Sequence, residues 1–194
     1  MLSYNIRWMA WRLTNRVSLL VTCFLLLLFS CCKNEKEQVK SYVEEMKANP
    51  VSLCLDQMEC RLNPIDGKRS RTYRMVVYVD SAECSSCALG KLRFWNPLIK
   101  EARDKKIDID YIFILAPKLE SMNDINMELE ITDLQSSIYL DTAYVFKKRN
   151  PAIPKDKRYH SFLLDKKGNV LFVGSPIDSE KIKNVYYRAL CLIN

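Results

Sequence analysis

The chain has 194 residues and a formal net charge of +7, with 30 lysines and arginines against 23 aspartates and glutamates. This length fits one domain with a hydrophobic core of its own. The basic residues are scattered among acidic ones, without an arginine-rich arm or a basic and aromatic alternation, so the sequence predicts no nucleic-acid interface.

The first 30 residues have the pattern of a secretory signal. Three arginines precede an uncharged apolar run over residues 17–30, which is long enough for a signal sequence and short for a bilayer span. The run ends in Leu28-Phe29-Ser30-Cys31, which resembles the lipobox of bacterial lipoproteins. The resemblance implies lipidation of Cys31 after removal of residues 1–30. An uncleaved anchor helix or a cleaved soluble signal is the alternative.

A lipidated Cys31 would place the protein in the bacterial cell envelope, periplasmic or surface-facing, with the outer membrane favoured. Several acyl chains on one cysteine anchor a protein stably, whereas one chain does not. Residues 31–38 would then be a lipidated tether. A disulfide can persist in such a compartment unless something reduces it.

Residues 39–72 are expected to hold a helix and short strands. The helix is predicted over 35–48, because Val39, Tyr42, Val43 and Met46 recur at helical spacing and are expected to face inward. Two short strands are plausible over 51–62, around Asp56–Glu59. A hairpin there would bring Cys54 and Cys60 into reach of a structural disulfide, and two buried thiols are the alternative.

Residues 73–194 alternate between strand and helix patterns. The predicted elements in chain order are strand 73–79, helix 88–105 with Leu92, Trp95, Ile99 and Ala102 inward, strand 107–115, helix 119–134, strand 137–140, helix 142–149, a hairpin of 161–165 and 170–173, and a last helix capped by Ser179 with Val185 among its inward residues. This order predicts an α/β fold with a central mixed sheet flanked by helices.

A Cys-x-x-Cys motif, Cys84-Ser85-Ser86-Cys87, lies between the strand 73–79 and the helix that follows. This placement puts two thiols one turn apart at the positive end of a helix, where the first thiol is acidified and the second can resolve a mixed disulfide. Glu83 opposes this acidification, because a neighbouring carboxylate disfavours a thiolate. The pattern favours a moderately reactive, reducing pair. A permanent structural disulfide is the alternative.

The motif, the element order and the hairpin over 162–170 resemble the thioredoxin-like superfamily, and within it the membrane-anchored TlpA-like and redoxin lipoproteins. The resemblance covers about residues 73–192 and implies a thioredoxin-like fold with an extra helix–strand insertion. It implies that Cys84 is the exposed attacking thiol and Cys87 the buried resolving thiol. It also implies protein thiol or disulfide substrates and a membrane electron donor. No nicotinamide or flavin motif is present, so no cofactor is predicted.

Two positions depart from the family pattern. Tyr159 stands three residues before Phe162, where the family usually has a cis-proline that presents backbone to a substrate, and Leu92 stands where the first helix often has a proline. A cis bond before Tyr159 would cost about 2.5–4 kcal/mol, so a trans or rearranged loop is expected. The missing cis-proline supports the alternative function, a non-catalytic thioredoxin-fold lipoprotein that serves as an interaction module.

Four residues are candidate neighbours of the cysteines: Asp80, Glu83, Tyr159 and His160. His160 is the only histidine, and this fold would bring it near the active-site face, where it could donate to the Cys84 thiolate. The copper-delivery relatives combine two cysteines with a histidine at a different spacing, so no metal is predicted. Asp80 could relay a proton to the buried thiol or simply form a turn.

A peroxidase is another alternative, since redoxin relatives reduce peroxides. Those relatives lack the Cys-x-x-Cys arrangement seen here, so the sequence favours disulfide exchange.

Overall fold

The computed structural model describes residues 35–62 and 71–191. The predicted signal and the first half of the tether, residues 31–34 with Cys31, lie outside the described residues. The chain divides into two compact units, Met1–Tyr42 and Val43–Asn194. The described part of the first unit is helical, and Gln38 Nε2 donates to the Tyr42 hydroxyl across one turn at 3.1 Å. Over the residues that the structure describes, no helix is both long and apolar enough to cross a membrane.

Helix α1 spans residues 35–48, and the rest of the fold alternates between strands and helices. The strands are β1 (Glu59–Leu62), β2 (Tyr73–Val79), β3 (Ile109–Leu115), β4 (Ser137–Leu140), β5 (Ser161–Leu164) and β6 (Val170–Val173). The helices are α2 (Ser85–Leu92), α3 (Asn96–Asp104), α4 (Met122–Ile131), α5 (Val145–Arg149) and α6 (Glu180–Cys191), with 3₁₀ turns at Leu55–Gln57, Arg93–Trp95, Leu119–Ser121 and Lys157–Tyr159.

The six strands form one mixed sheet in the order β1-β4-β3-β2-β5-β6. Strand β2 runs parallel to β3 and β3 parallel to β4, whereas β5, β6 and β1 each run antiparallel to their neighbours. In a thioredoxin-like fold, two parallel strands lie beside an antiparallel hairpin, and a Cys-x-x-Cys follows the first of them. Strands β2 and β3, the β5–β6 hairpin and the Cys-x-x-Cys after β2 have this topology. The predicted α/β class and mixed sheet are confirmed.

The central strands are covered on both faces, which explains their nearly continuous apolar sequences. On one face, Met75, Val77 and Phe113 join a core with Trp95 of the 3₁₀ turn and with side chains from α2, α3 and α6, including Tyr186. Alternate residues point to the other face. There the Tyr78 ring lies 4.8 Å from the Phe146 ring of α5. Helix α5 therefore covers the face opposite the main core.

The segment before β2 differs from its prediction. The predicted strand pair over 51–62 is wrong, because Cys54 adopts a left-handed conformation (φ 51°) and opens a 3₁₀ turn, leaving β1 as the only strand. Strand β1 pairs with β4, so the sheet extends into the segment 39–72. Cys54 and Cys60 are free thiols here, and the possible disulfide between them is not formed. Without the hairpin, nothing aligns the two cysteines across a turn.

The predicted helix over 88–105 is two helices joined by a 3₁₀ turn at Arg93–Trp95. Pro97 lies in the first turn of α3, where its missing N–H costs nothing. The inward residues predicted for this stretch, Leu92, Trp95, Ile99 and Ala102, are all buried.

Four other helices differ in detail from their patterns. Helices α4 and α5 are shorter than predicted, and Tyr144, left-handed at φ 55°, precedes α5. Val39 and Val185 were expected to face inward but are exposed. The Ser179 cap of the last helix is confirmed, since its hydroxyl accepts a hydrogen bond from the Ile182 amide at 3.3 Å.

Asp108 ties the start of β2 to the start of β3. Its carboxylate accepts hydrogen bonds from the Thr72 hydroxyl at 2.7 Å, from the Thr72 amide at 2.9 Å and from Arg71 Nη1 at 3.1 Å. The Thr72 hydroxyl, and after it the Arg71 guanidinium, lowers the pKa of Asp108 to about 2. The charged form of Asp108 is therefore favoured by folding.

We expect Asp108→Asn to flatten the acid dependence of stability. The pKa of Asp108 is lower in the folded chain than its ordinary value of 3.8, so its contribution is fully present above that value and is lost as the pH falls through about 2. Urea unfolding at several pH values should show that the free energy of unfolding falls less steeply between pH 4 and 2 in the variant. Asp104→Asn, at an exposed position, is the matched control, and equal slopes for both variants would contradict the assignment.

Candidate active site

The turn between β2 and α2 is built on Asp80. Its carboxylate accepts from the Ala82 amide at 3.1 Å and the Ser81 hydroxyl at 3.3 Å, and its carbonyl accepts from the Glu83 amide at 2.9 Å. This is the side-chain turn that aspartate commonly forms. The turn delivers the chain from the end of β2 to Cys84 with a fixed geometry.

Cys84 and Cys87 are joined by a disulfide at the start of α2, with their Cα atoms 5.3 Å apart. Cys84 is the N-cap residue of the helix: its backbone is extended, and its sulfur accepts from the Cys87 amide at 3.4 Å. In the reduced protein the same sulfur would face the unpaired amides and positive end of α2, which favour a thiolate. The geometry matches the predicted role of Cys84 as the more acidic thiol.

Both cysteines are exposed, which corrects the expectation that Cys87 is buried. The inward face of α2 consists of Ser85, Leu89 and Leu92, all buried and spaced by four and three residues. Cys87 lies outside this stripe, because it is two residues from both Ser85 and Leu89 in α2, and residues two apart lie on different faces of a helix. A reaction partner can therefore approach either sulfur of the disulfide.

Glu83 and His160, two of the predicted neighbours, are in contact. His160 Nδ1 lies 3.4 Å from Glu83 Oε1, and His160 Nε2 lies 2.9 Å from the Pro154 carbonyl oxygen. His160 is buried, with 3% of its surface exposed, whereas Glu83 keeps 28% of its side chain exposed. The Tyr78 amide donates to the His160 carbonyl at 2.8 Å, which holds this residue against the end of β2.

Asp80 is directed to Tyr78 as well as to its own turn. The Tyr78 hydroxyl donates to Asp80 Oδ2 at 3.3 Å. Burial, with the negative charge of Asp80 second, raises the pKa of Tyr78 well above its ordinary value. Tyr78 contacts Oδ2, and Ser81 and Ala82 contact Oδ1, so both carboxylate oxygens of Asp80 have partners other than the cysteines. The turn role of Asp80 is thus visible in the structure, and proton relay stays a prediction.

Tyr159 is buried at the end of the 3₁₀ turn Lys157–Tyr159, which leads into β5. Its amide donates to the Asp156 carbonyl at 3.0 Å, and Asp156 Oδ1 accepts from the Arg158 amide at 2.9 Å. No peptide bond among the described residues is cis, as the sequence predicted for the bond before Tyr159. A helical turn therefore takes the place of the extended proline loop.

Lys147 of α5 belongs to the same neighbourhood, and sequence reasoning missed it. Its Nζ donates to the Ile153 carbonyl at 2.8 Å and lies 3.4 Å from the Pro154 carbonyl, which also faces His160. Burial lowers the pKa of Lys147, and the negative charge of Asp80 partly offsets this. No pattern in the sequence indicates this position of Lys147, because its contacts depend on how the loop after α5 folds back onto the helix.

The described residues contain no group of three or more histidine, cysteine, aspartate or glutamate side chains arranged to hold a metal ion. The site presents a disulfide at the N-terminal end of α2 and, beside it, the contact between the Glu83 carboxylate and the His160 imidazole.

The chain is similar to several proteins of known structure. No protein-family model matches the chain, and no curated protein does. The similar structures include the thiol:disulfide interchange protein DsbE of Chlorobium tepidum (17% identity, TM-score 0.46, 62% of this chain and 82% of that one). They also include peroxiredoxin Q of Xanthomonas campestris (12%, 0.43, 72% and 97%) and a thioredoxin-like protein of Porphyromonas gingivalis (12%, 0.43, 62% and 75%). Likeness at this level leaves the function to be argued from the site.

We expect Tyr159→Pro to destabilise the protein, although it restores the residue usual in this fold. The substitution removes the amide that donates to Asp156 and the buried ring, so the free energy of unfolding should fall by about 3 kcal/mol or more. Urea unfolding measures the loss. Tyr159→Phe keeps both the amide and the ring and should therefore lose much less stability than Tyr159→Pro. A proline variant as stable as the wild type would show that the loop rearranges freely.

Proposed function

We propose that the chain is a thiol–disulfide oxidoreductase, tethered to a membrane outside the cytoplasm, that acts on protein disulfides through Cys84 and Cys87. The observation that carries the proposal is the exposed Cys84–Cys87 disulfide at the N-terminus of α2, with Cys84 as the helix cap. A structural disulfide has no need of exposure or of a helix terminus, whereas an exchanging one uses both.

The reaction would proceed in two exchange steps. In the reduced protein, the Cys84 thiolate attacks one sulfur of a substrate disulfide, forms a mixed disulfide and releases the first substrate thiolate. The Cys87 thiolate then attacks the Cys84 sulfur, releases the second substrate thiolate and leaves the Cys84–Cys87 disulfide. Two electrons pass to the substrate, whose thiolates take up protons from solvent.

Protein substrates suit the surroundings of the disulfide. Both sulfur-bearing residues are exposed. Their exposure lets a macromolecular partner reach the disulfide directly.

The oxidised product needs two electrons to return to the dithiol. The sequence has no nicotinamide or flavin motif, so we assign this step to a dithiol donor in the membrane. The tether would be the lipidated Cys31, which is supported by the arginines before the apolar run 17–30 and by Ser30 in the small position of the lipobox. The outer membrane remains the favoured location.

The alternative is a non-catalytic interaction module. One observation favours it: the 3₁₀ turn with buried Tyr159 replaces the loop at which this fold usually presents backbone to a substrate. The redox potential of the cysteine pair separates the two functions, because an inert structural disulfide has a potential below about −300 mV.

We expect Cys84 and Cys87 to interconvert reversibly in glutathione buffers, at a potential between about −120 and −270 mV, the range of known oxidoreductases. Thiol titration with mass mapping of the purified protein measures the oxidised fraction at each potential. A pair that stays oxidised throughout, or that never forms a disulfide, would favour the interaction module.

The matched variants of this experiment are Cys87→Ser and Cys84→Ser. Cys87→Ser should accumulate a mixed disulfide with a model disulfide protein, because the resolving thiol is missing, whereas Cys84→Ser should not. Cys60→Ser removes an exposed free thiol outside the site and should behave as wild type. Trapping through Cys87 alone would reverse the assigned roles.

We expect Cys31→Ser to release the protein from the membrane. Without the sulfur there is no site for the acyl chains, so the protein should move from the membrane to the soluble fraction and its mass should lack the lipid. Cys32→Ser, one position further on, should stay membrane-bound and lipidated. The opposite result would place the modification on Cys32.

A further inference from the structure

The ring of His160 is held between two oxygen atoms, one on each side. Nε2 lies 2.9 Å from the Pro154 carbonyl oxygen, and Nδ1 lies 3.4 Å from Glu83 Oε1. A carbonyl oxygen can only accept a hydrogen bond, so Nε2 must carry a hydrogen. This assignment follows from the partner and fixes the tautomer of the neutral ring.

With its hydrogen on Nε2, a neutral His160 would turn a bare lone pair at Nδ1 towards an oxygen of Glu83. If Glu83 is ionised, both atoms are acceptors and repel each other. The contact becomes attractive only when a further proton lies between the two groups. Glu83 Oε1 also lies 3.4 Å from the Asp80 amide, as suits a carboxylate oxygen, so the proton belongs on the imidazole.

We propose that Glu83 and His160 form an imidazolium–carboxylate pair with no net charge, and that His160 thereby neutralises the carboxylate that directly precedes Cys84. His160 is a positioning residue in this account, since it acts on Cys84 through Glu83. The inference deepens the proposed function, on which its importance for disulfide exchange rests.

The remaining titratable and charged groups around the pair come from four other parts of the fold. They are Tyr78 at the end of β2, Asp80 in the turn, Lys147 of α5, and Lys155, Asp156 and Arg158 of the loop before β5. Asp156 is already paired with Arg158, with Nη2 and Oδ2 2.8 Å apart. Asp80 and Lys147 attract each other electrostatically. Asp156 also interacts electrostatically with His160, but the ion-pair contact of the ring is with Glu83, whose Oε1 lies 3.4 Å from Nδ1.

The consequence concerns the charge beside the reactive sulfur. A lone Glu83 carboxylate would oppose formation of the Cys84 thiolate. In the neutral pair this opposition is cancelled, and the positive end of α2 acts on Cys84 without it. Glu83 keeps 28% of its side chain exposed, so removal of its partner leaves an unpaired carboxylate in contact with water, and its effect on Cys84 then returns.

A double-mutant cycle on the reduced full chain tests this coupling. The variants are His160→Gln, Glu83→Gln and the combination of both, and the readout is the pH at which half of Cys84 reacts with iodoacetamide. The midpoint should rise by about one pH unit in His160→Gln, because a like charge next to the thiol is exposed. It should not rise in Glu83→Gln. In the double variant it should return to the value of Glu83→Gln.

A rise in the double variant as large as in His160→Gln would show a structural disturbance, and an unchanged midpoint in His160→Gln would show no coupling; either result overturns the proposal. The midpoint requires no substrate turnover. A chain that fails to exchange disulfides but shows the cycle would therefore refute the proposed function and leave the pair in place.

A second measurement needs no substitution at His160. It is the only histidine in the chain, so histidine-selective ¹⁵N labelling gives one imidazole spectrum. Both ring nitrogens should carry hydrogen at pH 7 in the wild type, and Nδ1 should lose its hydrogen in Glu83→Gln. A wild-type spectrum with an unprotonated Nδ1 would overturn the proposal even if His160→Gln fails to fold.

Discussion

The antiparallel pairing of β2 with β5 is the constraint on which the site depends. The paired residues end at Val77 and Ser161, and one more backbone hydrogen bond follows, in which the Tyr78 amide donates to the His160 carbonyl at 2.8 Å. The same strand, two residues further on, enters the turn that ends at Cys84. One register therefore fixes the disulfide on one side and the histidine on the other, and a slip of one residue would turn each side chain to the opposite face.

The loop before β5 shows how the chain fills a position usually occupied by proline. A 3₁₀ turn closed by Asp156 directs the buried Tyr159 and His160 into the protein. Burial of a histidine is tolerable because both ring nitrogens find oxygen partners. The loop thus gives up a substrate-presenting backbone and gains a side chain that reaches the residue before Cys84.

Local patterns in the sequence predict much of the fold but few of the contacts between side chains of the site. The strands of the central sheet and the Cys-x-x-Cys follow from short-range periodicity and motif position. The exposure of Cys87 depends on the phase of α2, which Ser85, Leu89 and Leu92 set by being buried. The Glu83–His160 contact joins residues 77 positions apart. Such a pair becomes visible only once the β2–β5 register is known, although each residue was a candidate on its own.

Helix α5 packs on the face of the sheet opposite the main core and brings Lys147 to the candidate site. Asp141, fully buried, accepts from the Val145 and Phe146 amides at 2.8 Å each and so fixes the start of this short helix. Phe146 then packs on Tyr78, and Lys147 reaches the carbonyl of Pro154 that His160 also uses. A five-residue helix is too short to be stable alone. Its buried aspartate therefore matters for the site, because it positions Phe146 against Tyr78 and Lys147 at the Pro154 carbonyl.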